Sequence, residues 1–224
     1  LSSTAMILSF MAVTGMSPSM SRAGLVAGLS LAAWYYGRKV HPLVLLPLAA
    51  AVTLMINPSF GWSDLGWQLS FGAFAGVILL APLLQRYFFG DKPPGNIRQI
   101  LGETISAQLM TLPILVMAFG VMSNVAVIAN IMILPLVPLA MLLVFLTGIL
   151  ATIPVIGMLI AYPTTWLLSY MVWVAEWTSS LSWAQMEVEI GWWVAVVFYV
   201  LLGLAIWYMK RVTGYRLGDS SIVE

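Results

Sequence analysis

The chain has 224 residues, a formal net charge of +1, 62% hydrophobic and 8% charged residues, no cysteine and one histidine, with a mean hydropathy of +1.01. That hydropathy lies outside soluble globular composition and indicates an all-α integral membrane protein, a polytopic bundle forming a single membrane domain over residues 1–224. The absence of cysteine excludes disulfides and thiolate catalysis, and His41 alone cannot build a zinc-type ligand set. The expectation is no metal, no cofactor and no enzyme in this polypeptide.

At about 20 apolar residues per crossing, roughly eight segments follow one another, near residues 1–14, 18–37, 42–57, 65–85, 103–121, 125–150, 156–180 and 190–209. The first is apolar from Leu1 and has no basic stretch before it. It reads as the truncated tail of a spanning helix, in a fragment of a longer protein, rather than as a signal peptide.

Residues 14–23, TGMSPSMSRA, introduce the second segment with an unusual density of polar groups. Ser17 suits an N-cap and Pro18 the first helical position, where a missing N–H costs nothing. A helix start, the hydroxyls of Ser17, Ser19 and Ser21, and the Arg22 guanidinium together make a candidate phosphate site, because helix N-termini and bidentate Arg both favour anions. Alternatively, Arg22 snorkels to the interface as an anchor. Gly24 and Gly28, with Ala32 one step on, form a small-residue face suited to helix packing.

The third segment carries Pro42, Pro47 and Pro58 about its short apolar run and is expected to be tilted, kinked or partly inserted. The fourth opens with DLGWQLSFGAFAG, residues 64–76. Asp64 and Gln68 lie four apart on one helix face, and Ser70, Gly72 and Gly76 allow a polar lining or close helix approach. Asp64 either caps this helix or pairs with Arg22. A single Gln68 in a membrane helix should face the bundle interior or water.

Gln108, Thr111 and Pro113 fall on the fifth segment and Asn130, Pro135 and Pro138 on the sixth, which is expected to be broken. Backbone freed by these prolines either kinks the helices or lines a cavity. On the seventh, Tyr162, Trp166, Tyr170, Trp173 and Trp177 make one aromatic stripe at helical spacing, a surface for lipid or helix packing and, less commonly, for base stacking.

Charge placement orients the bundle. Arg38, Lys39, Arg86, Lys92, Arg98, Lys210, Arg211 and Arg216 all follow even-numbered segments, so loops 38–39, 86–98 and 210–216 are expected to be cytoplasmic, with 210–224 a cytoplasmic tail. The opposite loops hold Asp64, Glu187 and Glu189 and no Lys or Arg; Arg22 alone departs from the pattern.

The ordered set TG-x-x-PS-x-x-RA, NP, D-x-G-x-QLSF-x-A, AQ-x-x-TLP, FG, AN and P-x-x-P resembles the membrane competence domain of the ComEC family, over about residues 14–140. The resemblance implies a channel domain in the bacterial inner membrane that passes single-stranded DNA into the cytoplasm during natural transformation. The matching positions are Pro18, Ser19, Arg22, Asp64, Gln68, Ser70, Gln108, Pro113, Asn130 and Pro135. It also implies OB-like and metallo-β-lactamase-like domains in the full-length protein, together with DNA-delivery and DNA-pulling partners, and it leaves an oligomer open. This chain has no HxHxDH run and should not cut DNA itself. Two other readings stay open: a small-solute or lipid-linked transporter using Asp64, Gln68 and Asn130, and a non-catalytic membrane scaffold for attached domains.

Overall fold

The computed structural model describes residues 18–37, 42–90, 95–150 and 154–214, with the backbone alone at 18–22, 42, 154 and 156. The first expected segment, the proposed Ser17 cap and the basic residues Arg38, Lys39, Lys92 and Arg216 lie outside the described residues.

Ten α-helices are described: α1 Pro18–Tyr35, α2 Pro42–Ile56, the short α3 Phe60–Ser63, α4 Leu65–Ala75, α5 Ala81–Phe89, α6 Asn96–Phe119, α7 Ala126–Ile133, α8 Val137–Leu150, α9 Pro154–Ser179 and α10 Trp192–Thr213. A π-helical turn, Gly76–Leu80, fuses α4 to α5, and a 3-10 turn, Leu134–Leu136, fuses α7 to α8. Five continuous stretches are long and apolar enough to cross a membrane: Leu65–Phe89, Asn96–Phe119, Ala126–Leu150, Gly157–Ser179 and Trp192–Thr213. With 15 residues, α2 reaches only about 22 Å, short of a hydrocarbon core of about 30 Å.

Helix α6 is the centre of the packing, touching α4, the π turn, α5, α7, α10 and the strand that follows it. Helix α9 lies along α8 and meets α7, while α1 packs on α2 and α4. Buried Leu80, Leu83 and Met209, surrounded by Leu84, Leu109, Leu202 and Ile206, lock α5, α6 and α10 together. Three buried hydroxyls are satisfied within their own helices: Thr53 donates to Ala49 O at 3.0 Å, Thr164 to Ile160 O at 2.7 Å and Thr178 to Val174 O at 2.8 Å. Such back-bonding lets a polar side chain face another helix without water. Thr147 and Thr164 also share a 2.9 Å hydrogen bond that ties α8 to α9.

The backbone irregularities have local causes. Pro82 has no N–H and its ring opposes the carbonyl four residues earlier. The chain answers by widening: Ala81 N donates to Gly76 O, closing a π turn just before the proline. Pro135 occupies the 3-10 turn that interrupts the sixth segment. Pro113, inside α6, removes one rung of that helix, and the Tyr199 hydroxyl of α10 donates to the adjacent Met110 carbonyl at 2.9 Å.

One feature adds strands to an all-helical expectation. β1, Val121–Ser123, pairs antiparallel with β2, Gln185–Glu187, in the register Val121↔Glu187, Met122↔Met186 and Ser123↔Gln185. The ladder lies at the end opposite Arg98 and Lys210 and joins two loops that the helix count places on one side. Three-residue strands carry no period of their own. They form here because loop backbone at the edge of an apolar bundle needs partners.

A Cβ on Gly76 would stand 2.9 Å from the carbonyl carbon of Ser106 on α6, whereas one on Gly28 would meet nothing within 4 Å. Gly76→Ala is therefore expected to destabilise the protein by about 1–3 kcal/mol through forced separation of the two backbones. Gly28→Ala should be neutral or slightly stabilising. Thermal unfolding of the two variants in detergent or nanodiscs checks the contrast.

Candidate functional site

A cavity of about 400 Å³ lies between α6, α7, β1 and the π turn. On α6 its lining follows one helical face, Thr104, Gln108, Thr111 and Leu115, with Glu103 and Ala107 beside them. Asn130 contributes from α7, and Val121, Met122 and Ser123 close it from β1. Val77 belongs to the π turn and Leu134 to the 3-10 turn, so the cavity is bracketed by the two departures from α-helix. Non-α backbone at membrane depth is tolerated where it is buried or lines such a space.

The polar groups around it are incompletely paired. Gln108 Nε2 donates to Ser123 O at 3.1 Å and so holds β1 to α6. Its Oε1, and the hydroxyl of Thr104, have no hydrogen-bond partner. Glu103 Oε1 accepts from Gln99 Nε2 at 2.9 Å. Among the described residues the lining contains one carboxylate and no Lys, Arg or His, a charge that attracts cations and repels phosphate.

The small sheet seats β1 against this space. Asn124 N donates to Ala184 O and Val188 N to Gly120 O, extending the ladder at both ends. Asn124 Nδ2 adds a bond to Trp183 O at 3.0 Å. Gly120, at φ +68°, ends α6 in a left-handed turn that only glycine adopts at little cost.

The cluster at residues 64–76 is placed elsewhere. Asp64 is the N-cap of α4, with Oδ1 accepting from Trp67 N at 3.0 Å. Gln68 Nε2 donates to Gly61 O at 2.9 Å and to Trp62 O at 3.3 Å, so its amide holds the turn before α4. Asn57 Oδ1 accepts from the amide and hydroxyl of Ser59, and Trp67 Nε1 donates to Thr53 Oγ1 at 2.9 Å. These groups build the α2–α4 connection. Asp64, Gln68 and Ser70 are absent from the cavity lining, which takes Gln108 and Asn130 from the expected set. Gly72 would place a Cβ 3.6 Å from Thr111 Cγ2, an ordinary contact across α4 and α6. Gly24 is half-buried, while Gly28 and Ala32 lie on an exposed side of α1. Pro135 is exposed in its 3-10 turn. Pro18, Ser19, Ser21 and Arg22 belong to the α1 backbone, and their side chains, with Ser17, lie outside the described residues. The helix that carries Arg22 does pack against the helix that Asp64 caps.

Helix α9 presents Tyr162, Trp166, Trp173 and Trp177 outward, with the last two stacked at 6.1 Å and 11°. Its inward face carries Thr164, Leu167, Val174 and Thr178. The residues that sequence reasoning passed over are Glu103 and Thr104. The recurrence of polar side chains at 104, 108 and 111 within an apolar segment was the available signal.

Helices of spanning length, two of them interrupted beside a mainly apolar cavity with a few polar groups, define a polytopic α-helical membrane domain. The chain belongs to the Competence protein family, whose profile matches residues 1–212. This bears out the resemblance to the ComEC competence domain. The chain is 29% identical over 126 residues to ComE operon protein 3 of Bacillus subtilis (strain 168), a stretch covering 56% of this chain and 15% of that relative. No solved structure matches it.

Loss of the α4 cap should be measurable: Asp64→Ala is expected to cost about 1 kcal/mol, and Asp64→Asn only a few tenths if capping is the whole role of the side chain. Chemical unfolding of both variants tests this, and a large loss in the Asn variant would assign a second task to the charge.

Proposed function

We propose that this chain is the membrane domain of a DNA-uptake protein of natural transformation, through which single-stranded DNA passes the bacterial inner membrane into the cytoplasm. Membership of the Competence protein family across residues 1–212 carries the reading. The polytopic bundle with interrupted helices supports it, since broken helices supply polar backbone and widened packing inside a membrane.

Sidedness follows from charge. Arg86, Arg98, Lys210 and Arg211 gather at one end of the bundle, and Asp64, Glu187 and Glu189 belong to the other. Under the positive-inside rule the basic end is cytoplasmic. Arg98 lies over the Phe89 ring at 5.0 Å and Arg211 over Trp207 at 5.4 Å, an interfacial arrangement of cation and aromatic.

In this reading Arg22, near the outer end, meets the phosphodiester backbone together with the serines of residues 17–21. Phosphate contacts carry no sequence information, so uptake is indifferent to sequence. The acidic cavity beside α6 is unsuited to a polyanion, and the strand takes another route, past α1. OB-like and metallo-β-lactamase-like domains of the same full-length protein, and proteins that deliver and pull DNA, complete the pathway. The solute-transporter set of Asp64, Gln68 and Asn130 gains no support, because the first two are engaged in the α2–α4 turn and only Asn130 reaches the cavity.

The test is Arg22→Gln and Arg22→Lys in the full-length protein, scored by transformation frequency at equal membrane abundance. Loss of a charge-assisted phosphate contact should lower uptake by about tenfold or more in the Gln variant, with partial retention in the Lys variant. Normal uptake by both overturns the phosphate site, and loss of uptake together with abundance makes Arg22 a residue of the fold.

A further inference from the structure

We propose that the cavity beside α6 binds a monovalent inorganic cation, held by the Glu103 carboxylate with side-chain oxygens of Thr104, Gln108 and Asn130. Among the described residues, Glu103 is the only charged group in the lining. It lies seven residues into α6, about 10 Å along the helix from its basic end, and the cavity continues to Leu115, about 18 Å further. Glu103 is half-buried and stands where the apolar segment begins. The 2.9 Å bond from Gln99 serves one of its oxygens.

The second observation is independent of the charge. Thr104 is 6% exposed, lines the cavity and has a hydroxyl without a partner; the Gln108 carbonyl oxygen is likewise unpaired. Hydroxyl, amide and carboxylate oxygens are the donors that hard cations take. A single carboxylate matches one positive charge, whereas divalent ions draw on several. The inference concerns the resting protein and requires no DNA, so it stands or falls separately from the uptake reading.

The experiment uses the full-length protein in lipid nanodiscs. The unfolding midpoint is followed against NaCl and, separately, KCl, each exchanged for choline chloride at constant ionic strength. At least one alkali cation should raise the midpoint saturably, as mass action requires of a ligand bound by the folded state. Glu103→Gln should abolish the rise, and Thr104→Val should weaken half-saturation about tenfold. Glu176→Gln, an exposed carboxylate on α9 outside the cavity, should leave it unchanged. A rise that persists in Glu103→Gln overturns the site, as does an absence of saturable response or a response to pH alone. If Glu103→Gln fails to fold, an unaltered half-saturation in Thr104→Val overturns it equally.

Discussion

The close approach of Gly76 to the Ser106 carbonyl is the contact on which the packing of the central helices depends. Only a residue without a Cβ lets the π turn lie against α6 at that distance. With the backbones that near, Leu80 and Leu83 reach the core shared with α10. The π turn also absorbs Pro82, which an unbroken α-helix could accommodate only by kinking. Its widened backbone carries Val77 to the edge of the cavity. One glycine thus couples a proline, a helix junction and the cavity beside α6.

Polar groups in this bundle are managed in two ways. Most are consumed locally, as threonines bonded to their own helices and as Asp64, Asn57 and Gln68 in the α2–α4 turn. A smaller set, Glu103, Thr104, Gln108 and Asn130, converges on one space. Burial without a partner costs about 1–3 kcal/mol per group, and the hydroxyl of Thr104 and the amide oxygen of Gln108 are two such groups among the residues that line this cavity. Among the described residues its one charged lining group is the Glu103 carboxylate. The two-stranded sheet closes one wall of it through Ser123.

Much of the architecture was legible from composition and spacing. Membrane character, the all-helical class, the apolar segments from the second onward, the shortness of the third and the break in the sixth follow from counts of apolar residues and prolines, because the bilayer imposes a length and proline removes a hydrogen bond at a definable place. The ordered motifs at 14–23, 57–58, 64–73, 107–113, 119–120 and 129–138 together carried the family resemblance. Their grouping into sites was another matter. Asp64 took the capping role that was one of its two expected readings, whereas Gln68, expected to face the bundle interior or water, is held by the carbonyls of the turn before α4, and that competition is local geometry that spacing does not display.

The sequence by itself determined that the chain is helical and apolar, where its helices weaken and which end is basic, since these depend on each residue's own chemistry and its near neighbours. The tertiary structure alone decided that Gln108 reaches Ser123, that β1 finds β2, and that Glu103, Thr104 and Asn130 share one cavity. Those outcomes join residues on different elements, and they turn on rotations and approaches of a few ångströms that only the packed bundle sets.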